Sequence, residues 1–194
     1  PYTAFPGDEI EYDWAVQHNG ADDKSSYCFR MIEATGAAFD MYNNYPVLRT
    51  VGYGPRILDW RWYDDELSAT PSVPLAAENV SPTDIANDNV IKLRTVLKGS
   101  SGADGADVKF VVQYSQHADF STAVATATPF STCTADSIWC YADSAGTDNG
   151  VLPTTVISSA GACPNGCGTY NESTSTVGTT FDQLAFAATE FEFT

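Results

Sequence analysis

Residues 182–194 read DQLAFAATEFEFT, and residues 1–14 read PYTAFPGDEIEYDW. When the second stretch is aligned on the first, Ala4-Phe5 falls on Ala185-Phe186, and the Glu-Ile-Glu-Tyr of residues 9–12 falls on the Glu-Phe-Glu-Phe of residues 190–193. Acidic and apolar residues alternate in both stretches, which is typical of β-strands with two different faces. The same strand near both ends, about 180 residues apart, indicates a tandem repeat.

This alternation with a period of two continues through the first 50 residues. Strands are predicted at 9–16, 26–32 and 42–50, separated by turn-forming residues. Acidic side chains occupy one face of the first strand and apolar side chains the other. The apolar side chains of the first two strands include Ile10, Tyr12, Trp14, Val16, Tyr27 and Phe29.

Further short strands are predicted in the rest of the chain, at 57–63, 90–97, 108–114 and 120–127 and within 180–194. In the 90–97 strand, Leu93 lies on the apolar face while Lys92 and Arg94 lie on the other. The glycine-rich residues 99–107 suit a hairpin to the next strand. Since no amphipathic helix longer than two turns is visible, the sequence predicts an all-β, antiparallel, immunoglobulin-like β-sandwich, with a closed barrel as the alternative.

The repeated strand also predicts how the chain is organised. After Tyr12 the sequence continues into more strands, whereas little follows Phe193. We therefore expect residues 1–50 to complete the sandwich of an adjacent unit, residues 51–55 to be a linker, and residues 56–194 to form a main sandwich that lacks its last strands. The missing strands could come from the same chain folding back, from a neighbouring subunit by donor-strand complementation, or from the next repeat of a longer polypeptide.

Composition excludes several classes of function. The 194 residues carry a net charge of -16 with only nine Lys and Arg, which argues against binding to nucleic acid or to anionic lipid. Apolar runs are too short to span a membrane. Two histidines and no nucleophile elbow or phosphate-binding loop give no sign of an enzyme.

Five cysteines indicate an oxidising compartment. Cys133 and Cys140 lie close together in one polar loop, and Cys163 and Cys167 lie in another, so we expect two small disulfide loops. A zinc site is the weaker alternative, because neither pair has the tight CxxC spacing. Cys28 is left without an assigned partner.

Other side chains are compatible with glycosylation, with calcium binding or with sugar binding, but none of them requires such a ligand. Asn79 and Asn171 begin glycosylation sequons. No cofactor is expected, and calcium is the most credible ion, although turn-stabilising side chains explain the acidic loops more simply. Trp60, Trp62 and Trp139 could form a sugar-stacking platform, although alternation favours the core for the first two. The weak calcium candidates are Asp84, Asp88, Asp143 and Asp148.

Several short motifs resemble an uncharacterised repeat of very large surface proteins of environmental bacteria. They are WYDDE at 62–66, QYS at 113–115, SIWCYA at 137–142, TEFEF at 189–193, YCFR at 27–30 and YNNYP at 42–46. The likeness covers most of the chain in rotated order, with YCFR first. It implies extracellular, repetitive, structural proteins at the cell surface and supplies no catalytic residues.

The sequence thus predicts a structural subunit of a pilus-like extracellular filament or a tandem-repeat surface stalk, joined head to tail with copies of itself. The alternative is a carbohydrate- or surface-binding module of a modular adhesin, with glycans as possible partners. The residues expected at the joining interface are Ile10, Tyr12, Trp14, Val16, Tyr27, Phe29, Phe191 and Phe193.

Overall fold

The structure is a computed structural model that describes residue 7, residues 9–17, residue 19, residues 21–172 and residues 181–194. Ala4 and Phe5, which belong to the repeated strand motif, lie outside the described residues. The described part of the chain holds no helix with the length and hydrophobicity of a transmembrane segment.

The prediction of an all-β chain is confirmed: the regular secondary structure of the described residues consists of strands, apart from a single 3₁₀ turn, Phe130–Thr132. The strands are β1 (Ser26–Cys28), β2 (Val47–Arg49), β3 (Pro55–Asp64), β4 (Ile91–Gly99), β5 (Gly105–Val108), β6 (Gln113–Tyr114), β7 (Ala125–Thr126), β8 (Cys167–Asn171), β9 (Phe181–Gln183) and β10 (Ala188–Phe193).

The chain divides into two compact units, Pro1–Thr50 and Val51–Thr194, called unit 1 and unit 2 below. In unit 1, β1 pairs antiparallel with β2, so that Tyr27 lies opposite Leu48. Thr50 is the only described residue of unit 1 that is fully buried. Unit 1 therefore has no hydrophobic core among its described residues.

The predicted strand at 9–16 is not formed in unit 1, where residues 9–17 have no regular secondary structure. A strand needs a neighbouring backbone for its hydrogen bonds and an apolar surface for its apolar face. The described part of unit 1 offers only a two-stranded sheet three residues long, which is too short to pair along a strand of eight residues and carries no buried apolar side chain.

Unit 2 is organised around a four-stranded sheet with the order β3-β4-β10-β8. The pairs β3–β4 and β4–β10 are antiparallel, whereas β8 runs parallel to β10. Two smaller antiparallel sheets are formed by β5 with β9 and by β6 with β7.

The hairpin predicted at residues 99–107 is wrong. The free edge of β4 is taken by β10, which places Phe191 opposite Thr95. The chain leaving β4 instead forms β5, which pairs with β9. The single strand predicted at 108–114 is accordingly split between β5 and β6, which have different partners.

The main hydrophobic core lies on one face of the four-stranded sheet. Phe191 is fully buried, and the rings of Phe110 and Phe181 contact it edge to face, with centroids 5.1 and 5.2 Å away. Leu97, Ala127, Tyr141 and Phe193 complete the buried cluster. A smaller cluster surrounds Leu152, Cys167 and Tyr170.

Candidate functional site

An open apolar groove lies on the core face of unit 2. It consists of two adjoining cavities of about 380 and 340 Å³, which share Leu93, Val112, Gln113 and Phe193. The groove arises because β3 and β4 present alternate apolar side chains to this face, and only residues 110–114 and the neighbouring loops cover it. The apolar residues that define it are Ile57, Trp62, Ile85, Ile91, Leu93, Leu97, Phe110, Val111, Val112, Tyr114, Trp139, Tyr141 and Phe193.

The rim of the groove leaves large apolar side chains in contact with solvent. Ile57 is 65 % exposed and Trp139 is 46 % exposed. By register, Trp60 lies opposite Thr95 and Trp62 opposite Leu93, so both tryptophans belong to the groove face of β3. This is the face that alternation assigned to the core, but the structure leaves part of it open.

The joining residues predicted in unit 1 are also exposed. Trp14 is 69 % exposed, Val16 is 67 % exposed and Tyr12 is 56 % exposed, while Ile10 and Phe29 retain lower values close to 40 %. Tyr27 is half-buried in β1, and its hydroxyl accepts a hydrogen bond from the Asp22 amide at 2.7 Å. Unit 1 therefore presents exposed apolar side chains that nothing described in unit 1 covers.

Phe191 and Phe193, the other predicted joining residues, differ in their access to the groove. Phe191 is 0 % exposed and contributes to the core of unit 2, so its side chain is not part of an exposed joining surface. The reason is that both faces of β10 are covered within unit 2. Phe193 is largely buried as well, but it forms part of the floor of both cavities.

The opposite face of the sheet carries a buried ion network that the sequence did not reveal. Lys92 and Arg94 of β4 are both 0 % exposed, as are Glu190 and Glu192 of β10. Arg94 Nη1 donates to Glu190 Oε1 at 2.8 Å, and Arg94 Nε donates to Glu192 Oε2 at 2.5 Å. Strand alternation predicts that these charged side chains share one face of the sheet. It does not predict that the face is buried, because the loops that cover it are distant in sequence.

Loop backbone completes the network. Arg94 Nη2 donates to the Ala69 carbonyl at 3.2 Å. Glu190 Oε2 accepts hydrogen bonds from the amides of Val156 and Ile157, both at 2.9 Å. Because a buried carboxylate and guanidinium are stable only when their hydrogen-bonding groups are matched, this Arg94–Glu190 pair fixes both loops on the sheet.

Lys92 has a different environment from Arg94. Its ammonium donates to the Ser68 carbonyl at 2.6 Å and lies 3.3 Å from Asp65 Oδ1 and 3.6 Å from Glu192 Oε1. Asp65 follows β3 directly and is 9 % exposed, and its Oδ1 accepts a hydrogen bond from the Ser144 hydroxyl. Among the described residues, Glu192 Oε1 has no hydrogen-bond partner.

Burial perturbs the carboxyl groups of this network. Desolvation raises the pKa of Glu192 above its ordinary value, with Arg94 and Lys92 acting in the opposite direction. Desolvation also raises the pKa of Glu172, whose Oε1 accepts a hydrogen bond from the Gly146 amide at 2.8 Å. In both cases loss of water around the charged form is the dominant cause.

Both predicted disulfides are present. Cys133 is bonded to Cys140 and Cys163 to Cys167, so the zinc alternative is wrong for these four residues. Cys28 is an exposed free thiol in β1. Disulfides are typical of proteins that fold in an oxidising compartment.

The predicted glycosylation sites differ in access. Asn79 is exposed, and its side chain already bonds β3 through Asp59 Oδ1 at 2.6 Å and the Trp60 amide at 3.1 Å. Asn171 is 1 % exposed, and its Nδ2 donates to the Glu192 carbonyl at 3.0 Å. The Asn171 side chain is not accessible to a glycan in the folded unit, because it is buried although β8 is an edge strand of the sheet.

The calcium candidates are not assembled into a site. In the described ranges, no three Asp, Glu, His or Cys side chains are arranged to hold a metal ion. Asp148 instead accepts hydrogen bonds from the Glu172 amide and the Asn149 side chain, each at 3.0 Å. Asp84 and Asp88 adopt left-handed backbone conformations in their loop, and Asp143 is exposed.

Comparison with known proteins adds no relative from which a function could be transferred. No protein family, curated protein or solved structure matches the chain. The groove and the ion network are therefore interpreted from their own chemistry.

Proposed function

We propose that this protein is a structural subunit of an extracellular filament or tandem-repeat surface stalk, in which unit 1 of one copy fills the groove of unit 2 of the next. The observation that carries the proposal is that the two units are incomplete in complementary ways. Unit 2 has an apolar groove larger than its own side chains fill. Unit 1 has several exposed large apolar side chains and no core among its described residues.

The environment that residues 9–12 require can be inferred from the matching residues 190–193 of β10. In β10, the matching residues have both faces buried, with Glu190 and Glu192 against Arg94 and with Phe191 in the core. The same alternation in residues 9–12 is left in solvent in unit 1. A strand built for burial on both faces gains hydrogen bonds and apolar contacts when a second copy supplies the sheet.

The chemistry of the groove favours a strand with aromatic side chains as its occupant. Its lining is mostly aliphatic and aromatic, and its polar side chains are Arg56, Thr95, Gln113 and Thr194. Tyr12, Trp14 and Phe29 match this lining, and a neighbouring backbone supplies the hydrogen bonds that a free strand lacks. The contact is head to tail and therefore continues into a filament unless it closes into a ring.

The disulfides support an extracellular location, as does the resemblance of the short motifs to a bacterial surface repeat. Disulfides persist outside the cell and not in a reducing cytoplasm. The protein is proposed to act without catalysis and without a cofactor.

A carbohydrate- or surface-binding module is the second candidate, because Trp62, Trp139 and Tyr114 line one cavity. Aromatic faces stack on sugars, but sugar recognition also needs several directed polar groups. The scarcity of polar lining side chains makes strand complementation the better-supported function.

Cys28 allows a direct test, because it is an exposed free thiol in β1. Ile85→Cys places a second thiol in the groove, and the matched control Thr154→Cys places one in the loop over the opposite face. Under mild oxidation, the proposal predicts disulfide-linked chains of two and more copies for I85C and far fewer for T154C, separated on a non-reducing gel.

Two results would contradict the proposed joint. One is equal cross-linking of I85C and T154C. The other is an I85C disulfide that forms only within single chains, which would mean that unit 1 fills the groove of its own chain. Deletion of residues 1–50 gives an independent check: a truncated protein that stays folded and assembles as the full chain does would place the joint elsewhere.

A further inference from the structure

We propose that unit 2 joins Lys92 to Asp65 through an amide bond between Lys92 Nζ and Asp65 Cγ, with Glu192 as the proton carrier. The bond would form within the folded chain and would not depend on how copies are joined. It would be a covalent modification site made from three residues that the sequence alone does not bring together.

The geometry brings an amine, a carboxyl group and a proton carrier together. Lys92 Nζ lies 3.3 Å from Asp65 Oδ1 and 3.6 Å from Glu192 Oε1. The Lys92 and Glu192 side chains are 0 % exposed, and the Asp65 side chain is 12 % exposed. Reacting groups held at contact distance in a rigid fold gain the advantage of an intramolecular reaction.

The second observation is the unpartnered oxygen of Glu192. Its Oε2 is bound to Arg94 Nε, whereas its Oε1 faces Lys92 beyond hydrogen-bond distance and has no hydrogen-bond partner among the described residues. An unsatisfied buried carboxylate oxygen is costly unless it has another role. An oxygen that accepts the amine proton and returns it has such a role.

The reaction needs the amine and the acid in their neutral forms, and one proton transfer across the 3.3 Å between Lys92 Nζ and Asp65 Oδ1 supplies both. Burial raises the pKa of Glu192 above its ordinary value, which favours the form that carries a proton. The Ser144 hydroxyl donates to Asp65 Oδ1, where charge develops when the amine attacks.

The step balances without a co-reactant. The Lys92 nitrogen attacks Asp65 Cγ, an N–C bond forms and a C–O bond breaks. The oxygen leaves as water with one proton from the amine and one from the acid. Glu192 takes the amine proton, passes it to the departing hydroxyl and ends unchanged. The partly exposed Asp65 gives the water a way out.

The bond would tie the end of β3 to β4 and bypass residues 66–91, which cross the ion network. Since Asp65 follows β3 directly and Lys92 is the second residue of β4, force applied along these two strands would not unravel the connecting loop. The loop would then stay in place over the buried ion network.

The test is the intact mass of the full-length protein after denaturation and reduction. The expected mass is one water below the sequence mass, with peptide fragmentation linking Lys92 to Asp65. Lys92→Arg keeps the positive charge and should have the full mass. Glu192→Gln should fold with the full mass, whereas the matched control Glu172→Gln should still lose one water.

The mass of the folded wild-type protein decides the proposal even if every variant fails to fold. The full sequence mass would overturn it. Loss of one water with Lys92 linked to Glu192, or loss of one ammonia with Lys92 linked to Asn171, would overturn the assignment of Asp65. An unaltered joining reaction in a folded E192Q variant would overturn the role of Glu192.

Discussion

Replacement of Trp14 by alanine should weaken assembly without weakening the fold of the isolated chain. Trp14 is 69 % exposed in the single chain, so its removal takes away little that stabilises an unassembled copy. In the assembled state the proposal buries this side chain in the groove of another copy. Assembly and folding can therefore be separated at this one position.

The magnitude follows from the exposed area. An aromatic side chain of this size buries up to about 250 Å², and the 69 % exposure of Trp14 leaves most of that area available. At about 25 cal/mol per Å², complete coverage contributes about 4 kcal/mol, and coverage of half the area about 2 kcal/mol. Since about 1.4 kcal/mol is a factor of ten in an equilibrium constant, Trp14→Ala should raise the dissociation constant at least about thirty-fold.

Sedimentation velocity over a series of concentrations measures the dissociation constant, and urea unfolding at the lowest concentration measures the fold. Leu67→Ala is the matched control, because Leu67 is 76 % exposed in a loop of unit 2 outside the groove. The free energy of unfolding should change by less than about 0.5 kcal/mol in both variants. The reasoning is refuted if Trp14→Ala assembles at wild-type concentrations, or if Leu67→Ala weakens assembly equally.

Two further predictions concern the buried ion network. Arg94→Met leaves Glu190 and Glu192 buried without their common guanidinium, so urea unfolding should show a loss of about 3–5 kcal/mol; a loss below about 1 kcal/mol would mean that the pairs are solvated. Burial raises the folded-state pKa of Glu172, so the folded protein holds that proton more tightly than the unfolded chain. This stabilisation is present below the ordinary value of 4.5 and is lost as pH rises through the raised pKa. Unfolding free energies measured from neutral pH downward should therefore show a stabilising contribution on acidification that Glu172→Gln lacks, and identical pH profiles for the two proteins would contradict this assignment.

The sequence predicted the parts of the fold that depend on local alternation. The alternation in β3, β4 and β10 predicted their strand character, and the close spacing of Cys133 and Cys140 predicted their bond. Partners that are distant in sequence were harder to predict. Glycines after β4 suggested a hairpin, but they carry no information that β10 occupies that edge.

The ion network shows the same limit at the level of the site. Lys92 and Arg94 alternate with apolar residues, which identifies two faces but not what covers each face. The signal that could have located the network is the matching alternation in β10, because Glu190 and Glu192 can lie opposite a basic strand when the two pair. Asp65 could not have been assigned, since its approach to Lys92 depends on the path of the loop that follows β3.

Hydrogen exchange of the backbone amides at residues 9–17, measured as a function of protein concentration, tests the central claim most directly. In the single chain these residues form no regular structure, so their amides should exchange rapidly at low concentration. In assembled protein the account predicts strong protection of residues 9–16 together with protection around Leu93 and Val112 in the groove. Rapid exchange of residues 9–16 in fully assembled protein would contradict it.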